Sequence, residues 1–173
     1  KVSTLTYSWF MEARTLHAPL DVLSAANRPQ GIEIATLTTF DIPALAVLTL
    51  EAYDDAVTPE ALLETSEELR LTFEGAFGDT TEDSFVGAWD GGTLVGAILV
   101  VRESPWDDVP NGPFVVDLIV APDYRRRGIA TALVSEVASR CTHWGFDSLA
   151  LRLDARHGGA RELYSMLGFE EIA

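Results

Sequence analysis

The chain has 173 residues, of which 47% are hydrophobic and 23% charged, which suits one compact domain and excludes global disorder. Its net charge of −15 opposes nucleic-acid binding and either favours cationic ligands or only keeps the chain soluble. The longest apolar run, residues 94–101, is far shorter than the ~20 residues of a spanning helix, and the N-terminus has no apolar signal core. A soluble, cytoplasmic, single-domain protein is expected.

Residues 2–12 alternate Leu5, Tyr7, Trp9 and Met11 with Thr4, Thr6 and Ser8, a period of two that predicts a strand. Residues 13–30 contain Pro19 and Pro29 and read as a linker, with a helical turn near 22–26. The core is expected over 31–173. Residues 32–38 form its first strand. Asp41 then reads as an N-cap ahead of Ile42, Leu45, Leu48 and Ala52 at helical spacing. Thr58-Pro59-Glu60 opens a second helix with a cap, a proline and an acid in the first turn. Strands are predicted at 84–89 and 93–102, joined by the hairpin signal Asp90-Gly91-Gly92.

A polar loop leads to a strand at 114–120. A helix follows over 128–144, with Ile129, Leu133, Val137 and Cys141 on one stripe and Gly145 as its C-terminal cap. Cys141 is the single cysteine, which excludes an intrachain disulfide and reads as a small buried residue. A strand at 148–153, a helix at 158–167 and a last strand from Phe169 complete an α/β order with helices on both faces of one sheet.

The stretch from Val115 to Thr131 carries the chemistry. An apolar strand turns at Ala121-Pro122-Asp123-Tyr124, and Arg125-Arg126-Arg127-Gly128-Ile129-Ala130-Thr131 opens a helix. The first turn of a helix has amides without intrahelical partners, and the helix dipole adds positive character there. A phosphate suits that geometry. Gly128 permits close approach, Ala130 does not block it, and three arginines add charge-assisted donors. Alone, such a loop is a weak signal, and an arginine run is usually a solvated surface. His17, His143 and His157 lack ligand spacing, so no metal is expected. No Gly-x-Ser-x-Gly elbow occurs, which leaves a serine hydrolase without support.

Arg125, Gly128 and Ala130 resemble the acyl-CoA-binding motif of the GNAT superfamily, Arg or Gln, two residues, Gly, one residue, then Gly or Ala. Residues 160–169, with Leu163-Tyr164 and a closing Leu167-Gly168-Phe169, resemble the family's second signature. The resemblance covers about residues 31–170. It implies a mixed, mostly antiparallel sheet with helices on both faces and a splayed parallel strand pair. It also implies acetyl-CoA as acyl donor and an N-acetyltransferase that passes an acetyl group to a primary amine by direct attack in a ternary complex.

By that resemblance the pantetheine arm pairs with the backbone of Leu118, Ile119 and Val120. Arg125 belongs to the motif, the pyrophosphate lies on the amides of Arg126, Arg127, Gly128, Ile129, Ala130 and Thr131, and His157 stands where many members have a cofactor-contacting Asn. Tyr164 matches the tyrosine that protonates the departing thiolate in many members; its bland alternative is packing. Asp117, on the cofactor strand and on the face of Val115 and Ile119, is either the general base or a structural partner of an arginine. The Glu that serves some members as base is replaced here by Arg152. These departures keep open an inactive acyl-CoA-binding regulatory or sensor module. Glu51, Asp54, Asp55, Glu64, Glu67 and Glu68 on the two helices after the first core strand imply a cationic small molecule or peptide as acceptor.

The family ends with two antiparallel strands after Leu-Gly-Phe, and here Ala173 follows closely on Phe169. Residues 2–12 are therefore expected to replace the missing last strand beside 148–153, as a circular permutation in cis or as a swap that makes a homodimer. The 18 residues of 13–30 can reach up to roughly 60 Å, enough to cross a small domain.

Overall fold

A computed structural model describes residues 14–23, 27–104, 106–153 and 160–172. In chain order these form β1 (Arg14–Pro19), α1 (Leu20–Leu23), β2 (Ile32–Thr36), a 3-10 turn (Thr39–Asp41), α2 (Ile42–Ala52) and α3 (Pro59–Phe73). The hairpin β3 (Phe85–Asp90) and β4 (Thr93–Val101) follows, then β5 (Phe114–Val120), a 3-10 turn (Pro122–Tyr124) and α4 (Ile129–His143). β6 (Ser148–Leu153), α5 (Ala160–Leu167) and β7 (Glu170–Glu171) complete the order.

The seven strands of the described residues join one sheet in the order β2-β3-β4-β5-β6-β1-β7. Every neighbouring pair is antiparallel except β5 with β6. This is the mixed sheet with a single parallel pair that the sequence leads one to expect. Two apolar layers cover it. α1, α4 and α5 pack on one face through Leu20, Leu23, Leu133, Val137 and Tyr164. α2 and α3 pack on the other through Leu45, Leu48 and Leu69. Among the described residues no helix is long and apolar enough to cross a membrane.

The start and stop signals act as their chemistry dictates. Thr58 Oγ1 accepts the Ala61 amide at 3.1 Å, and Pro59 opens α3. Asp41 precedes α2 as read, but its carboxylate does not cap that helix; it accepts the Thr38 amide at 2.8 Å and closes the 3-10 turn instead. Gly145, at φ 93°, ends α4 as read from sequence.

One reading lies outside the described residues and one changes. The expected strand at 2–12 lies outside the described residues. The segment 13–30, read as a linker, contains β1 and α1. Pro19 and Pro29 suggested irregular chain, yet Pro19 only closes a short strand whose Leu16 and Ala18 are buried. β1 pairs antiparallel along the whole of β6, from Arg14↔Leu153 to Pro19↔Ser148, and pairs on its other edge with β7. An N-terminal strand thus fills the place between β6 and β7, and the permuted order stands, carried by residues 14–19.

Candidate active site

β5 is hydrogen-bonded to β4 over nearly its whole length but meets β6 only at Phe114↔Ala150 and Val115↔Leu151. Beyond Val115 the parallel pair separates, because β6 continues against β1 while β5 turns toward the loop. The cause is local. Leu99 faces Asp117 and Val100 faces Val115, so Val116 is one residue too many on β5. Such a bulge bends its strand and sharpens its twist. The edge of β5 from Val116 to Val120 is left open toward the gap.

The bulge also corrects a side-chain assignment. Asp117 was expected to share a face with both Val115 and Ile119. The extra residue breaks the alternation: Val115 packs in the α4 layer and Ile119 in the α2 layer. Asp117 lies on the α2 side, where the Tyr53 hydroxyl donates to its Oδ1 at 2.5 Å. Tyr53 is the residue that ends α2. Nothing in its local sequence marked it for the site, since it belongs to a polar Tyr-Asp-Asp turn 64 positions from Asp117.

Tyr164 enters from the opposite layer. It is only 5% exposed, and its ring meets Phe169 edge-on at 5.4 Å. Gly168, at φ 106°, ends α5, and the Phe169 amide returns to the Tyr164 carbonyl at 2.9 Å. The Leu-Gly-Phe signature is thus the device that fixes this tyrosine. Burial, and secondarily the charge of Asp117, push the Tyr164 phenol well above its ordinary value. Asp117 and Tyr164, 47 positions apart in the sequence numbering, belong to opposite layers, Asp117 on the α2 side and Tyr164 in the α4 layer.

The loop after β5 builds the third side. Ala121 donates to Val95 O at 2.8 Å, and the Tyr124 hydroxyl donates to Asp90 Oδ2 at 2.6 Å, tying the turn to the β3–β4 hairpin. That bond is the leading reason the Tyr124 phenol is raised. The first intrahelical bond of α4 runs from the Ala132 amide to Gly128 O at 3.0 Å. The amides of Ile129, Ala130 and Thr131 precede it and have no partner within the helix. Gly128 sits at φ 80° and Arg126 at φ 62°. A Cβ at Gly128 would find only Pro29 Cγ, at 3.8 Å, so the space above it is open. Gly96 lets α4 lie close on β4: a Cβ there would stand 2.9 Å from Ile129 Cγ2.

The three arginines differ. Arg125 Nη2 donates to Ala52 O at 2.7 Å and its Nε to Val120 O at 3.3 Å, so this side chain fastens the end of β5 to the end of α2. The Arg127 guanidinium lies over the Tyr124 ring at 4.8 Å, and Arg126 is exposed. Leu118, Ile119 and Val120 lie on the open strand, as expected. His157 lies outside the described residues. Arg152 is held by Asp108 at 2.5 Å and by Thr15 Oγ1 at 3.4 Å. The acidic residues around α2 and α3 are exposed, but Glu67 is already paired with Arg70 at 2.8 Å, and that hydrogen bond lowers its pKa. Glu68 reaches solvent, yet partial desolvation by its neighbours, then the charge of Glu64, raises it.

A groove of about 1080 Å³ lies elsewhere, at the beginning of β6 between His17, Asp21, His143 and Asp147. It is distant from the open end of β5 along the strand direction. The described residues contain no group of three or more His, Cys, Asp or Glu that could hold a metal.

The family model described as "Acetyltransferase (GNAT) family" matches residues 48–169. No curated protein matches the chain. Among solved structures, a GCN5-related N-acetyltransferase from Sphaerobacter thermophilus is similar at 23% identity and TM-score 0.67, over 92% of this chain and 48% of that one. The chain therefore spans about half the length of that protein. The ribosomal-protein-S18-alanine N-acetyltransferase of Escherichia coli is similar at 20% identity and TM-score 0.60, over 82% and 79% of the two chains. The aminoglycoside antibiotic 6'-N-acetyltransferase of Acinetobacter baumannii is similar at 20% identity and TM-score 0.63, over 83% and 93%. At these identities the likeness is one of fold.

Proposed function

From the premise that the chain belongs to the acetyltransferase (GNAT) family, we propose that it moves the acetyl group of acetyl-CoA to a primary amine of a cationic small molecule or peptide, by direct attack within a ternary complex. The observation that carries this reading is the opening of β5 from β6 beyond Val115, which leaves the stretch bearing Asp117 unpaired on that edge ahead of the left-handed Gly128 that starts α4.

Acetyl-CoA supplies an acetyl group activated as a thioester. The open backbone of Leu118, Ile119 and Val120 is suited to pair with the amide-bearing arm of that donor. The amides ahead of Ala132, with the cradle at Gly128, are suited to its pyrophosphate. Asp117 takes the proton that an ammonium must lose before its nitrogen can attack. Tyr164 gives its proton to the departing sulfur. Burial favours that role, because it keeps the phenol protonated across the neutral range. The two groups stand on opposite layers, so each can face one partner of the transfer. The exposed carboxylates of Glu51, Asp54 and Asp55 beside Tyr53 favour an acceptor of positive charge.

Thiol release from acetyl-CoA across a panel of primary amines tests the proposal. Diamines, polyamines and basic peptides are expected to release thiol faster than neutral or anionic amines. The reverse order would remove the charge argument. Tight acetyl-CoA binding with no release for any amine would leave a binding module in place of an enzyme.

A further inference from the structure

We infer that Tyr53 is a positioning residue for the transfer, fixing the Asp117 carboxylate through its hydroxyl. The inference rests on the reading of Asp117 as the base. The Tyr53–Asp117 bond is 2.5 Å long, in the range of a charge-assisted hydroxyl–carboxylate contact. It is made by the residue that ends α2, whose own amide is held by Thr49 O at 3.2 Å. One position earlier, the Ala52 carbonyl accepts from Arg125, which also bonds Val120 O. The phenol is therefore attached to a helix end clamped from the loop that precedes α4.

A bulged strand needs such a support. Val116 removes the regular alternation of β5 just before Asp117. A carboxylate on a side chain with rotatable bonds can then turn either oxygen toward the gap. A donor on Oδ1 selects one orientation, and it does so from the α2 layer, leaving the other layer to Tyr164. Of the two tyrosines in the proposed site, Tyr53 bonds the carboxylate from the end of α2 while Tyr164 lies in the opposite layer on α5, and their tasks differ. Tyr53 donates to the base. Tyr164 holds its proton for the sulfur.

The test follows the Asp117 carboxyl directly and needs no acceptor. Protein labelled with ¹³C at aspartate carboxyls is titrated as wild type and as Tyr53→Phe, with Asp117→Asn used to assign the resonance. Phe keeps the ring and removes only the donor to the charged form, so the Asp117 carboxyl is expected to titrate roughly one pH unit higher. The acid limb of kcat, with the panel amine that releases thiol fastest, moves upward by the same amount while KM for acetyl-CoA stays constant. An unmoved Asp117 titration, or a moved titration with an unmoved acid limb, overturns the positioning role. Failure of the base reading looks different: Asp117→Asn then turns over as fast as wild type, whatever Tyr53→Phe does to the resonance.

Discussion

The two halves of the candidate site are made in opposite ways. The half proposed for the donor is a continuous stretch, from Leu118 on β5 to Thr131 in α4, and it offers backbone: an open strand edge, a left-handed glycine and helix amides. The half proposed for proton transfer is made of side chains from three distant elements, Tyr53, Asp117 and Tyr164. A backbone site tolerates many side chains provided that the path of the chain is kept. A side-chain site depends on each group and on whatever orients it. Substitutions should therefore separate the halves, with turnover lost in one and donor affinity in the other.

The sharpest separation is expected from Asp117→Asn. Removing a general base costs about 10²- to 10⁴-fold in rate, so thiol release should fall by that order while the dissociation constant of acetyl-CoA stays near wild type. Donor binding lost in parallel would show that Asp117 belongs to the donor half. Tyr164→Phe should lower kcat by about 10²-fold with a smaller change in donor affinity, as for a contact made mainly in the transition state. An equal loss of binding with unchanged turnover would assign Tyr164 to packing.

Gly128→Val should act on the other half. Its φ of 80° is costly for a β-branched residue, about 1–3 kcal/mol, and the new side chain would enter the open space above the loop. Acetyl-CoA affinity should fall by about tenfold or more in a folded variant, measured by calorimetry. Unchanged affinity would take the donor site away from this loop. Arg125→Met gives the smallest effect. It removes two hydrogen bonds between exposed or half-exposed groups, each worth about 0.5–1.5 kcal/mol. The melting temperature should drop by a few degrees, with donor affinity less affected than by Gly128→Val.

The pH dependence sharpens the same contrast. Burial raises the Tyr164 phenol above its ordinary value near 10 in the folded protein. The folded state therefore holds this proton more tightly than the unfolded one. The stability linked to it is complete below about pH 10 and is lost as pH rises through the higher folded value. Turnover should show no basic limb from Tyr164 below about pH 10, and a limb at lower pH that disappears in Tyr164→Phe would contradict the burial.

What could be read from the residues alone follows the range of the interactions involved. α3, the β3–β4 hairpin and the end of α4 were legible because Thr58-Pro59, Asp90-Gly91 and Gly145 act within a few positions of themselves. The donor loop was legible for the same reason, since its strand, turn, glycine and helix are neighbours in sequence. β1 was not. Six residues with two buried side chains give too little periodicity to outweigh Pro19, and only pairing with β6 and β7 makes them a strand. The bulge at Val116 is likewise a product of register between β4 and β5, and it overruled the simple alternation that placed Asp117 with Val115. Tyr53 reaches the site because α2 packs on one face of the sheet and Arg125 clasps its end. The sequence by itself determined the strand, turn, glycine and helix start to which the donor is assigned in the proposal, because these depend on local conformation. Which side chains meet across the gap was decided only by the tertiary structure, because it depends on how two layers of helices settle on a sheet that opens at one end.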